Sequence, residues 1–373
     1  MTITRTIRVE LRSSTWSPKT PHSGLIALNG TQVLDILEVL LHVAISTAPP
    51  VAYGFELSQF WPWLRYLPAL TEGPGLRLRP EWTDLDSHQK TVLSDDFGMG
   101  ASTWLLSRAL DLTAFAPTNY VVGRVGPPWL YLEKSGKCGP SKSPDFIGLD
   151  GHGTLHAIES KGTQTFGNLD RQLTTGKPQK RNLVVGAPYT LGESVVAGIF
   201  IPQSNAKEDA LCRIIDPPVV QEGGVTGSPR ESVPLALARA NVSSTLHLLG
   251  LPAEANAIAT GEEATTRLTP AQMKRLHEEQ PWPDRPAYKG IQRTVRFPRS
   301  AGGVGGTAEG VRAYVALESE LLQDIARGRG REALERLADR AKKQRPNRRS
   351  KEGRADLETP TGTYAAIEKL DSE

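Results

Sequence analysis

The sequence predicts an α/β protein: a mixed central sheet flanked by helices, with an N-terminal extension and a helical, basic C-terminal region. Two observations predict it. Between residues 86 and 250, short apolar runs of strand length alternate with longer stretches of helical period. Two of those runs are joined by Asp150-Gly151-His152-Gly153, a strong hairpin signal, so the sheet contains antiparallel pairs.

The elements follow in order. Residues 3–11 place Ile7, Val9 and Leu11 on one side, alternating with Arg8 and Glu10, the period of a half-buried strand. Residues 31–46 carry Val33, Leu34, Leu37, Leu40, Leu41 and Ala44 at the spacing of a well-buried helix. Phe60, Trp61, Trp63 and Tyr66 gather around Pro62; with only Arg65 basic among them, they read as a packing cluster rather than a platform for bases. Ser94 is a suitable N-cap for a helix over 94–110. That helix would hold Asp95 and Asp96 in its first turn and bury Phe97, Ala101, Trp104 and Leu105.

Strands are predicted at 120–124, 145–149 and 155–161, the last two forming the hairpin. A short helix at 169–175 should stop at Gly176-Lys177-Pro178. Apolar strands at 195–201 and 211–215 and a helix at 230–249 complete the core. The division is an N-terminal α/β extension of unassigned role (1–85), the core (86–250), a Pro/Gly-rich linker (251–309) and a helical region with a basic tail (310–373). In the last, helices are expected at 310–327 and 332–343.

Composition narrows the function. Two cysteines, Cys138 and Cys212, exclude a disulfide-dense scaffold and a four-cysteine zinc site, and read as reduced thiols of a cytoplasmic protein. The longest greasy stretch, 33–45, is broken by Asp35, Glu38 and His42 and falls short of the ~20 residues a membrane span needs. The N-terminus lacks the apolar segment of a secretory signal. No nucleophile elbow and no P-loop is present, so neither a serine hydrolase nor an NTP-driven motor is supported. The net charge of +3 does not by itself call for nucleic acid. Within 340–354, however, eight basic residues stand against Glu352 alone, a segment suited either to phosphates or to solvent; Arg345, Arg348 and Arg349 are its centre.

The chemistry gathers in 143–164. Asp145 opens one hairpin strand; Glu159 and Lys161, two apart near the end of the other, share a face. Asp145 and Glu159 lie at similar distances from the turn, so two carboxylates and an ammonium should converge at one end of the sheet. Carboxylate oxygens suit a hard cation such as Mg²⁺, which meets phosphate oxygens directly. A lysine beside it can orient water and balance charge developing on a phosphate. His152 and His156, four apart on a hairpin rather than a helix, read as solvated turn residues.

Pro144-Asp145 followed by Glu159-Ser160-Lys161 resembles the signature of the PD-(D/E)XK nuclease superfamily, the restriction-endonuclease-like fold. The resemblance covers about a third of the chain. It implies a mixed-sheet core with one helix before it and another after the lysine strand. It also implies Mg²⁺, with Mn²⁺ as a substitute, on Asp145 and Glu159, and Lys161 serving the attacking water. An added acid from the preceding helix would be Asp96 or Asp95. A glutamine on the following helix would be Gln172, with Lys177 and Lys180 near the substrate. The activity implied is hydrolysis of phosphodiesters, in DNA rather than RNA, by an endonuclease of restriction, phage defence or repair, acting as a homodimer or with a partner subunit. The alternative is a catalytically silent nucleic-acid-binding or interaction protein on the same core.

Overall fold

The computed structural model describes residues 3–46, 62–133, 142–186, 189–216, 232–262, 267–278, 285–296 and 308–371. Strand β1 (Thr4–Leu11) keeps the predicted period, burying Ile7 and Val9 and exposing Arg8. Helix α1 (Ser23–Leu28) leads to strand β2 (Gly30–Asp35), antiparallel to β1, and then to helix α2 (Ile36–Ser46). The helix predicted over 31–46 is thus strand for its first third. Thr31 and Val33 face outward on a strand that pairs with β1, and Asp35 starts the helix by accepting from the Glu38 amide at 3.1 Å.

Helix α3 (Ser87–Ala109) begins earlier than predicted, because Asp86 caps it by accepting from the His88 and Gln89 amides at 2.8 and 2.9 Å. Ser94 instead donates back to the Lys90 carbonyl, the usual habit of a serine inside a helix. Strand β3 (Leu112–Pro117) follows, then α4 (Thr118–Tyr120) running into a π-turn at Val121–Val125. The strand predicted at 120–124 is therefore helical. Val121 is buried against Leu237 and its neighbours as part of one turn rather than alternating across a sheet.

Strands β4 (Leu130–Leu132), β5 (Phe146–Asp150) and β6 (Leu155–Thr163) precede helix α5 (Leu169–Arg181) and strands β7 (Leu183–Val185), β8 (Leu191–Phe200) and β9 (Leu211–Ile215). Helix α5 runs past the expected stop and takes Pro178 inside it. Packing overrides the local signal: at Gly176 the helix backbone lies so close to the sheet that a Cβ would come within 2.7 Å of Val196 Cγ1 and 3.1 Å of Glu159 Cγ. Seven strands form one sheet in the order β2-β1-β9-β8-β6-β5-β3. The β1–β9 and β6–β8 pairs are parallel and the rest antiparallel, the mixed sheet that was predicted. Helix α3 covers one face over β6 and β8 and is backed by α2, which also packs on β13 and β14, and α5 covers the other face over β6 and β8.

The C-terminal part corrects the prediction most. After α6 (Val233–Leu248), the stretch read as a linker holds α7 (Pro252–Thr260), α8 (Pro270–Glu278) and β10 (Tyr288–Arg296); the glycine run 302–306 lies outside the described residues. The region read as helical is helix and sheet: the helix expected at 332–343 is α10 (Gly330–Ala341) and the second half of that at 310–327 is α9 (Ser319–Ala326), but β11 (Ala308–Glu318) takes the first half, and the basic tail forms β12 (Asn347–Lys351) and β13 (Arg354–Glu358), followed by β14 (Thr363–Asp371). The five strands pair antiparallel in the order β10-β11-β14-β13-β12. Val311, Ala313, Val315 and Leu317 bury one face of β11 in the large core, while Tyr314 and Ala316 bury the other with Tyr288, Tyr364 and Ala366. A strand buried on both faces shows no alternation, so its sequence passes for a helix. Among the described residues no helix is long and apolar enough to cross a membrane.

Candidate active site

The site forms where two strands part. The register of the hairpin sets Phe146 opposite Ile158, so Asp145 stands beside Glu159 as the sequence predicts. The Asp145 amide donates to Glu159 Oε2 at 3.2 Å. Beyond Ile158, β6 has lost its β5 neighbour, and its amides on that side need other acceptors. Carboxylates face them: the Ser160 amide donates to Asp145 Oδ2 at 2.7 Å, and the Gly162 amide is near enough to Asp95 to favour its charged form. Glu159 is fully buried, and its Oε1 is met only by the Lys161 ammonium, in a tight ion pair. The Lys161 side chain is 18% exposed, whereas that of Glu159 is not exposed at all.

Asp95, rather than Asp96, joins the group. Helix α3 crosses β6 at a glycine pair: a Cβ on Gly98 would lie 2.9 Å from Gly162 Cα. Asp95 is three residues before Gly98 and faces the same way. Asp96, rotated by 100°, instead accepts from the Tyr66 hydroxyl at 2.6 Å, inside a cluster of Tyr66, Phe97 and Trp82. Tyr66 therefore packs as predicted; Phe60 and Trp61 and the side chain of Trp63 lie outside the described residues.

Burial dominates the electrostatics. It raises the Asp95 and Asp145 pKa values against the pull of Lys161, and Asp95 raises Asp145 further. Burial and then Asp145 push Glu159 up to about 8. For Lys161 burial acts downward, but Glu159, Asp145 and Asp95 outweigh it and hold the ammonium charged. One lysine among three acids leaves the cluster short of positive charge.

That shortage fits a divalent cation. Among the described residues no three acidic, histidine or cysteine side chains are spaced to enclose an ion by themselves. Asp145 and Glu159 would hold it with water and substrate oxygens completing the shell, which is how Mg²⁺ is commonly bound. The raised Glu159 pKa makes a test of the metal-free protein. The folded chain keeps a proton that the unfolded chain loses near 4.5, so stability should fall as pH rises from about 4.5 to about 8 and then level off. Glu159→Gln should flatten that slope and melt above wild type at the alkaline end. Thermal melts in chelator across the range measure it, and a wild-type midpoint indifferent to pH there would contradict a buried, neutral Glu159.

The remaining candidates scatter. Gln172 is half-buried on α5, one turn before Gly176, and its side chain makes no hydrogen bond to the described residues. Lys177 is half-buried next to that glycine; the side chain of Lys180 lies outside the described residues. The basic segment is not a free tail. Arg345 is exposed and pairs with Asp111, Arg348 turns inward and donates to Ser107 Oγ at 3.0 Å, and Arg349 is exposed with no partner among the described residues.

His156 also departs from expectation: it is buried, not solvated. Its Nδ1 accepts from the Glu193 amide at 3.1 Å, which puts the proton on Nε2, 3.2 Å from Asp150 Oδ2. Asp150 Oδ1 meanwhile accepts from the His152 and Thr154 amides at 2.8 Å each, closing the hairpin turn. Cys138 lies outside the described residues, and Cys212 is a buried free thiol. Comparison of the chain with protein-family models, with curated proteins and with solved structures gives no match.

Proposed function

We propose that the protein is a divalent-metal-dependent nuclease that hydrolyses phosphodiesters, acting on DNA rather than RNA, with its active site where β5 and β6 diverge. The observation that carries the reading is the convergence of Asp145, Glu159, Lys161 and Asp95 at that point. The order α3, β3, β5, β6, α5, β8 supports it, because it matches what resemblance to the PD-(D/E)XK superfamily implies: one helix before the mixed sheet and one after the lysine strand.

Asp145 and Glu159 are the residues that would hold the cation. A bound Mg²⁺ polarises a phosphodiester and lowers the pKa of a water beside it. The chain's own groups do the rest. Lys161, tethered to Glu159 and reaching solvent, orients a water and donates to the oxygens on which charge accumulates. Asp95 keeps the Lys161 ammonium charged and on the side of β6 that β5 has vacated. Gly176 lets α5 roof Glu159 closely enough to exclude water from its far side. Gln172 and Lys177 on α5 are proposed to steady the substrate backbone, and restriction, phage defence or repair is the setting that the resemblance suggests.

One observation favours a second reading. Asp145 already caps a β6 amide, Asp95 lies near another, and Glu159 is sealed with Lys161, as in a purely structural network. A catalytically silent nucleic-acid-binding or interaction protein on this core would look the same. A cleavage time course on supercoiled plasmid and linear single-stranded DNA, in Mg²⁺, Mn²⁺ or EDTA, separates them. Metal-dependent cutting is expected, and plasmid nicking would mark an endonuclease. DNA binding without cutting in any metal would select the silent core.

A further inference from the structure

A second polar cluster lies at the seam between the two sheets, apart from the site above. A narrow cleft of about 30 Å³ is walled by α2, β3, α6 and the C-terminal sheet. His42 of α2 lies flat on Phe115, ring centroids 5.7 Å apart and planes 6° from parallel, and is only 1% exposed. Neither of its ring nitrogens has a hydrogen-bond partner. A neutral imidazole carries one donor and one acceptor, and in a folded interior both normally find partners.

Arg348 of β12 lines the same cleft. One of its terminal nitrogens donates to Ser107, but its Nε is buried with no partner. Glu38 and Asp111 attract it, but neither forms an ion pair with it. Asp111 is engaged by Arg345, and Glu38 by Arg108 and the Trp104 indole. Arg108 adds a second cation nearby. Burial and Arg108 together push Arg348 down to about 10, and burial with both arginines holds His42 well below the usual histidine range. The hydroxyls of the wall do not reach them: Thr113 is turned to the Leu149 carbonyl and Thr245 to that of Asn241, and neither is a partner of His42 or of Arg348 Nε. The cleft therefore has a buried guanidinium N–H to spare and no carboxylate bonded to it.

We propose that this cleft binds a small molecule through an oxyanion, a carboxylate or phosphate, that accepts from Arg348 and His42 while the rest of the molecule lies against Phe115, Leu248 and Val315. A planar guanidinium with a free Nε–H is suited to such a group, because charge-assisted bonds to an oxyanion are the strongest it makes. The apolar wall confers preference for a ligand with a carbon body over a bare ion. Occupancy would give the Arg348 Nε–H and the imidazole N–H of His42 the acceptors that they lack.

The test is isothermal titration of the full chain with sodium phosphate, acetate and benzoate in turn, against sodium chloride as control. At least one oxyanion should bind and raise the melting temperature where chloride does not. Phosphate alone would assign a phosphoryl ligand; acetate or benzoate alone would assign a carboxylate, with benzoate the tighter. Arg348→Met should weaken binding about ten-fold or more. Ser244→Leu, which fills the cleft without touching either donor, should abolish it, and carries the test if Arg348→Met fails to fold, as judged by circular dichroism. Absence of binding by all three oxyanions, or binding that survives Ser244→Leu in a folded protein, would overturn the proposal.

Discussion

Lys161→Ala should lower metal-dependent cleavage by about 10²–10³-fold, the loss that follows removal of one donor aimed at developing charge. The fold should survive. The ammonium is near the surface, and the Glu159 carboxyl, already pushed up to about 8, answers the loss of its partner by keeping a proton. Lys161→Arg should not restore activity, since a guanidinium stays charged, is larger, and presents a fork rather than a compact ammonium to the same water. Asp145→Asn and Glu159→Gln should fall at least as far, through weakened cation binding. Plasmid cleavage measured over a range of Mg²⁺ concentrations separates the two effects: more metal should partly rescue the carboxylate variants and leave Lys161→Ala unchanged. Undiminished cutting by Lys161→Ala would remove Lys161 from the mechanism.

Gly162→Ala should have the largest effect on stability of any single methyl group in this region. A Cβ there would overlap the Ser94 carbonyl, and that carbonyl belongs to helix backbone, which cannot rotate aside like a side chain. Overpacking of this kind costs about 1–3 kcal/mol and sometimes more. Relief requires α3 to lift off β6, which takes Asp95 away from Lys161. Stability and cleavage should therefore fall together in Gly162→Ala, whereas Lys161→Ala affects cleavage alone. Thermal melts with paired activity assays read this directly. A Gly162→Ala protein that melts like wild type would mean that helix and strand do not approach so closely.

The centre of the site was legible in the sequence because it depends on local geometry. A tight turn and a period of two are enough to place Asp145 beside Glu159 and to put Lys161 on the same face as Glu159. The choice between Asp95 and Asp96 was not legible, because it depends on where α3 starts and which of its faces meets β6. Both are set by Asp86 and by the Gly98–Gly162 crossing. The C-terminal sheet was obscured for a different reason: β11 is apolar on both faces, so the alternation that betrays β1 is absent from it. That Arg348 turns inward was not legible, because a charge run looks solvated in sequence, while the pairing of β12 with β13 directs that side chain toward Ser107.

The hairpin turn has a further consequence, one of parity. Successive residues of a strand point to opposite faces, so a slip of one residue between β5 and β6 would send Asp145 away from Glu159, and a slip of two would set Ser143 or Ile147 beside Glu159 in its place. Asp150 guards against both, because its one carboxylate counts out the turn by gripping the amides two and four residues ahead. A residue well away from the carboxylates and the lysine thus fixes the arithmetic on which they depend.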